Sequence, residues 1–215
     1  PEAVCELLER CFGSIPGGAE RRTIQPPVYR PRRVCLQKEV EQVHICMGFP
    51  GISHTDRNSY TLSIANNIIG GSGSSRLFQR IREEKGLCYS LYSYGSSYHQ
   101  TGTLQIYCGM SEENLEPVCQ GILTALEEMK REGPTGEEFA QTLSQIRSEL
   151  LLSMENTHNR MNNNARNLIY MGRIVTIEEI LNELSQVTRE DVMDYLETYC
   201  KPDLMSVVLA GSIDK

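Results

Sequence analysis

The chain has 215 residues, 40% of them hydrophobic and 23% charged, a balance typical of globular chains with room for one large domain or two small ones. It contains no run of about 18 apolar residues, which excludes a membrane-spanning helix. A net charge of -7 argues against a nucleic-acid-binding domain, which is usually basic. No partner of either kind, membrane or nucleic acid, is therefore expected.

In chain order, residues 1 to 12 read as an amphipathic helix, with Val4, Leu7, Leu8 and Cys11 on one face and Gly13 as its stop. Residues 14 to 33 carry Pro16, Gly17, Gly18, Pro26, Pro27 and Pro31 among several arginines, the composition of an extended linker. A helix stranded ahead of a linker implies three parts. Residues 1–13 are the terminal helix of a preceding, absent half, 14–33 are the linker, and 34–215 form the main domain. The first residue is Pro1 rather than Met, so a fragment of a longer chain is expected.

In the main domain, Val43, Ile45, Met47 and Phe49 alternate with His44, Cys46 and Gly48, the period of a half-buried strand. Residues 57 to 69 carry Leu62, Ala65 and Ile69 at helical spacing. Residues 88 to 98 and 103 to 110 alternate around His99-Gln100-Thr101-Gly102, which predicts a hairpin. Leu115, Val118, Cys119, Ile122, Leu126 and Met129 predict a strong helix ended by Gly133-Pro134. Thr135 with Glu138 forms a capping box for the next helix, striped by Phe139, Leu143, Ile146 and Leu150. The Asn-rich run from Asn156 to Asn167 weakens the helical pattern. Thr176 with Glu179 and Thr188 with Asp191 mark two more helix starts, and "LMSVVLA" reads as a final strand. Early strands, paired helices and a late strand favour α+β, with a largely antiparallel sheet and helices packed on one face, over alternating βα units.

Eight cysteines stand at 5, 11, 35, 46, 88, 108, 119 and 200. None forms C-x-x-C or pairs with His at zinc-finger spacing. They read as free thiols used as small core residues, which suits a reducing compartment. With no signal peptide visible, the expected location is cytoplasmic. His44, His54, His99 and His158 include no H-x-x-E-H or H-x-x-H, so no mononuclear zinc site is expected in this chain. No Gly-x-Ser-x-Gly elbow is present either.

The segment "GGSGSSRL", residues 70 to 77, lacks the Gly-Lys-Ser/Thr ending of a P-loop. It follows a helix rather than a strand, so it is no dinucleotide fingerprint. It reads as a turn supplying Ser74 or Ser75 as N-cap to a helix from about 76 to 85, with Leu77, Phe78 and Ile81 buried and Gly86 as its stop. Arg82 falls in the last turn and Tyr89 near the start of the following strand. Across that junction the two can converge. Arginine brings a permanent charge and fork-like donors, and tyrosine a phenolic donor. Such a pair can hold a peptide carbonyl or stabilise an oxyanion. A solvated arginine and a packing tyrosine are the plainer alternative.

The stretch from Ser75 to Ser93, opening with "SRLFQRIREEKGLCYS", resembles the C-terminal half of the pitrilysin/insulinase-type (inverzincin) zinc metallopeptidases, in the bacterial branch similar to mitochondrial processing peptidase. "FGSIP", "EQVHICMGFPG", "NRMNNNARNLIYMGR" and "TIEEILNELSQVTREDV" extend the likeness over nearly the whole chain. The resemblance implies one half of a two-half clamshell that closes on a peptide substrate. It implies zinc in the parent protein, bound through H-x-x-E-H in the absent N-terminal half. It assigns Arg82 and Tyr89 to the active site and Gly70, Gly71, Ser72 and Gly73 to a substrate-binding loop. The implied partners are a peptide and the N-terminal zinc-binding half or a partner subunit; a homodimer is also expected. This half alone should be inactive. The alternative is a non-catalytic peptide-binding or assembly subunit of the same fold.

Overall fold

The computed structural model describes residues 2–16, 25–56 and 58–213. Helix α1 (Glu2–Phe12) buries none of its residues. Part of the expected linker, residues 17–24, lies outside the described residues. The last part of the linker is held to the sheet. Tyr29 donates its hydroxyl to the Gly48 carbonyl at 3.0 Å and lies 2.8 Å from Ser206 Oγ. The sheet then begins at Arg33 with a strand the sequence did not reveal, β1 (Arg33–Gln37). Its residues are all exposed, so no burial alternation marks it.

The other strands are β2 (Val43–Gly51), β3 (Ser90–Ser97), β4 (Gly102–Met110) and β5 (Ser206–Gly211). They form one sheet in the order β1-β5-β2-β4-β3. Only β1 with β5 is parallel; the remaining pairs are antiparallel. The expected α+β class with a largely antiparallel sheet is the observed architecture. Alternation decides what each face does. Val43, Ile45, Met47 and Phe49 on β2 and Leu104, Ile106, Cys108 and Met110 on β4 all point into the core. His44 and Tyr107 sit on the opposite face, where His44 Nδ1 lies 2.7 Å from the Tyr107 hydroxyl.

The helices cover the apolar face. They are α2 (Ser59–Asn66), α3 (Leu115–Glu132), α4 (Gly136–Glu155), α5 (Thr157–Met171), α6 (Ile177–Gln186) and α7 (Arg189–Tyr199). Leu62 and Ile64 of α2, Val118, Ile122 and Met129 of α3, and Val192 and Leu196 of α7 meet the sheet in one core. The three expected capping boxes form, each Thr accepting from the backbone N–H three residues on.

Two expectations need correction. The Asn-rich run is helical from Thr157 onward, as α5. Asn156 starts it by accepting from the N–H groups of His158 and Asn159, so an asparagine that disfavours a helix interior acts as its cap. The cysteines are not uniformly core. Cys88, Cys108 and Cys200 are buried, Cys46 and Cys119 half-buried, and Cys5, Cys11 and Cys35 exposed.

Candidate functional site

The site segment is built from two π-helical stretches, which sequence periodicity does not reveal. Helix α2 runs on into a π-helical segment, Asn67–Gly71. Gly70 and Gly71 therefore lie inside a helical continuation, and the turn starts only at Ser72, which is extended. A side chain at Gly70 would place its first carbon 2.9 Å from the Ser93 nitrogen, so glycine here lets this helix touch β3. Gly73 has open space around it, and its carbonyl accepts from Gln79 Nε2 at 2.6 Å. The expected hydroxyl cap is absent. Ser75 Oγ is buried without a hydrogen-bond partner, and Ser74 Oγ lies 3.2 Å from Ser72 Oγ.

The second π-helical segment, Phe78–Glu83, carries Arg82. Its wide turn is seen where Glu84 N–H donates to Gln79 O, five residues back, at 2.9 Å. Gly86 ends it in the left-handed region at φ 61, with its N–H on Arg82 O at 3.1 Å. That is the glycine stop the sequence predicted. The next residues reverse direction, and Tyr89 N–H donates to Gly109 O at 2.9 Å, locking Tyr89 to β4 just ahead of β3.

Arg82 and Tyr89 thus flank one tight turn. The Arg82 guanidinium stacks on the Phe78 ring at 4.7 Å from its centroid, and among the described residues its ion-pair partner is Glu83 at 3.7 Å. Its side chain is 41% exposed, and Tyr89 is 62% exposed. No hydrogen bond joins the two side chains among the described residues. Both are open to a ligand, and neither fills the core. An open cleft of about 420 Å³, lined by Arg80, Lys85, Leu87, Pro117 and Glu128 among others, borders the same turn.

What holds this corner is a buried arginine at the start of the site segment. Arg76 is 9% exposed. Its Nε and Nη2 donate to the two carboxylate oxygens of Glu138 at 3.0 and 2.6 Å, and Nη2 also reaches the Gly133 carbonyl at 3.3 Å. Glu138 completes the capping box of α4, taking the Thr135 N–H at 2.7 Å. Burial pushes the Glu138 carboxyl up, but the Arg76 hydrogen bonds and the Thr135 N–H outweigh it and hold the carboxyl below its usual range. Only the capping box could have hinted at this, since a buried arginine needs a carboxylate and Glu138 is already fixed in space.

No cluster of three or more His, Cys, Asp or Glu side chains among the described residues could hold a metal ion. The donor set of these residues does not fit zinc, which takes about three protein ligands in a catalytic site.

The comparisons with known proteins define the protein's class. The family described as peptidase M16 inactive domain matches residues 1–146, and the chain belongs to it. A Bacillus subtilis relative named as the uncharacterized zinc protease YmxG is 39% identical over 185 residues, covering 86% of this chain and 45% of the relative. A Streptomyces coelicolor relative, also named a zinc protease, is 30% identical over 174 residues, covering 81% and 37%. The chain thus spans less than half the length of these two relatives. Among solved structures, a peptidase M16 inactive domain from Pseudomonas fluorescens superposes with a TM-score of 0.84 at 21% identity, covering all of this chain and 52% of that one. A Helicobacter pylori protease gives 0.85 at 15% identity, covering 98% and 52%. At such identities the structures support the fold. No helix among the described residues is long and apolar enough to cross a membrane.

Proposed function

We propose that this chain is the substrate-binding half of a zinc-dependent endopeptidase, working on peptides or unfolded protein segments. The observation that carries the reading is the turn at Gly86. It leaves a guanidinium and a phenol exposed on its two flanks, and among the described residues the guanidinium meets the Phe78 ring and makes a long contact to Glu83.

A zinc-binding half, in the same protein or a partner subunit, would supply the metal, which acts as a Lewis acid and activates water. The residues of this chain act on the peptide. Arg82 offers parallel N–H donors to a backbone carbonyl and keeps the chain in register. Tyr89 offers its O–H to the scissile carbonyl oxygen, where negative charge develops. A donor at that oxygen helps most in the transition state. The turn of Ser72 and Gly73, projecting beyond its helical anchor, is assigned to substrate handling. The buried thiols of Cys88, Cys108 and Cys200 suit a reducing compartment, and the cytoplasm is the proposed location.

The test is steady-state kinetics on the complete protein carrying both halves. Tyr89→Phe should lower kcat by about 10²–10³ with zinc content and folding retained. Arg82→Ala should raise KM as well, and Lys should rescue it poorly because it lacks the planar fork. A near-normal kcat for Tyr89→Phe refutes the catalytic role. The second reading, a non-catalytic peptide-binding or assembly subunit of the same fold, predicts peptide binding without turnover.

A further inference from the structure

The cleft beside the Gly86 turn has an apolar floor and a charged rim. One wall is the π-helical segment Phe78–Glu83 with the turn that follows it, and the other is α3. On the floor, Ile81 and Ala125 are buried and Leu87 is half-buried. Gly121 of α3 lets the two walls close there, since a carbon added to it would lie 3.3 Å from Ile81 Cδ1. The volume of about 420 Å³ falls within the range of about 300–1,000 Å³ usual for ligand pockets.

Three charged side chains line the cleft: Arg80, Lys85 and Glu128. Two of them cancel. Arg80 Nη1 donates to Glu128 Oε2, and that hydrogen bond holds the Glu128 carboxyl below its ordinary range, so the pair is ionised and compensated near neutral pH. Lys85 is exposed and makes no hydrogen bond or ion pair among the described residues. One uncompensated positive charge therefore stands beside an apolar floor, on a chain of net charge -7. In sequence Lys85 lies between Arg82 and Tyr89, directly ahead of the left-handed Gly86. A peptide held by Arg82 and Tyr89 has the mouth of the cleft within reach of its neighbouring residues.

We propose that this cleft is a specificity subsite for a carboxylate carried on an apolar stem, with Lys85 as its counter-charge. The stem of a glutamate side chain, or the apolar side chain of a C-terminal residue, covers Ile81, Leu87 and Ala125. The carboxylate takes charge-assisted hydrogen bonds from the Lys85 ammonium at the rim. A lysine or arginine in the same place brings a like charge to Lys85, so the subsite selects by repulsion as well as by attraction. The proposal rests on the reading of this chain as a peptide-binding half and adds a preference for acidic peptides to it. The plainer role of Lys85 is to complement the carbonyls at the end of its helical segment. That role acts on stability and is indifferent to the charge of the peptide.

The test uses the complete protein carrying both halves. The probes are dye-labelled peptides in which one glutamate is moved position by position along an otherwise uncharged sequence. Each has a glutamine counterpart, and each is made with a free and with an amidated C-terminus. Binding is read by fluorescence anisotropy after zinc has been chelated, and turnover by steady-state kinetics with zinc present. One glutamate position, or the free C-terminus, should bind about fivefold tighter than its neutral counterpart, the scale of an ion pair at a partly exposed site. Which of the two responds tells a side chain from a chain end. Lys85→Met should remove the preference, Lys85→Arg should keep it, and Lys85→Glu should turn it toward lysine peptides, with KM moving more than kcat. Thr124→Phe, a change at the exposed rim, should weaken the favoured peptide by filling the cleft. Binding that ignores both glutamate and the free C-terminus overturns the proposal while leaving the peptide-binding reading intact. A preference that survives Lys85→Met overturns it too, as does a Lys85→Met variant whose only change is lower stability in urea. Absence of binding by every peptide overturns the peptide-binding reading itself, and the subsite with it.

Discussion

Arg76 and Glu138 form a two-pronged ion pair, 3.0 and 2.6 Å long, between the start of the site segment and the start of α4. The arginine is almost fully buried and the carboxylate partly so. Two parallel hydrogen bonds fix orientation as well as distance. The pair thus sets where the helical segment carrying Arg82 begins.

Breaking it leaves one member of the pair without its counter-charge, almost fully buried in the case of Arg76 and partly buried in the case of Glu138. Arg76→Ala should cost about 3 kcal/mol of folding stability, measured by urea unfolding. Glu138→Ala should also remove the capping box and cost at least as much. A loss below roughly 1 kcal/mol for Arg76→Ala would mean that water replaces the guanidinium.

The same pair shapes acid stability. The folded-state pKa of Glu138 lies below its ordinary value near 4.5. The folded state therefore binds this proton less readily than the unfolded chain. The stabilisation is complete above about pH 4.5 and is lost as pH falls through the lowered folded pKa. Exposed Glu179, which takes hydrogen bonds from Arg173 and the Thr176 N–H, titrates in the same direction. Unfolding followed from pH 7 to pH 3 should show this acid limb, and Arg76→Met should flatten it.

The glycines of the turn should separate by role. Gly70→Ala should destabilise by about 1–3 kcal/mol, because the added carbon meets the Ser93 backbone. Gly73→Ala has open space and should leave stability within about 0.5 kcal/mol. Any effect of Gly73→Ala on peptide KM would then report on substrate handling alone. Equal destabilisation by the two changes would contradict this division.

Thiol labelling offers a fourth check. Burial pushes Cys88, Cys108 and Cys200 up, Cys200 to about 12, so little reactive thiolate forms near neutral pH. Cys5, Cys11 and Cys35 are exposed. A maleimide at pH 7 should label these three first, and peptide mass mapping should find the buried three modified only on unfolding.

Much of this fold was legible in the residues. Alternation marked β2 and the hairpin, and Thr135, Thr176 and Thr188 announced three helices, because both signals are local. Gly86 was legible for the same reason. What could not be read depends on partners distant in sequence. β1 is a strand because β5 lies beside it, with Arg33 paired to Val207. Arg76 is buried because Glu138 waits there. The π-helical turns around Gly70 and Arg82 pack against β3 and α3, which are distant in sequence or unreadable from local periodicity. Arg82 and Tyr89 were found as neighbours of one turn, and their shared exposure follows from Gly86.

The position of β5 bears on how the protein is made. Of the five strands of this sheet it is made last, yet it lies between β1 and β2. Until Ser206–Gly211 has left the ribosome, β1 has no strand to pair with and β2 has one bare edge. The nascent chain then shows unpaired strand edges throughout elongation, the features that recruit chaperones or seed aggregation. Strand insertion, rather than helix formation, should set the moment at which the newborn domain becomes safe.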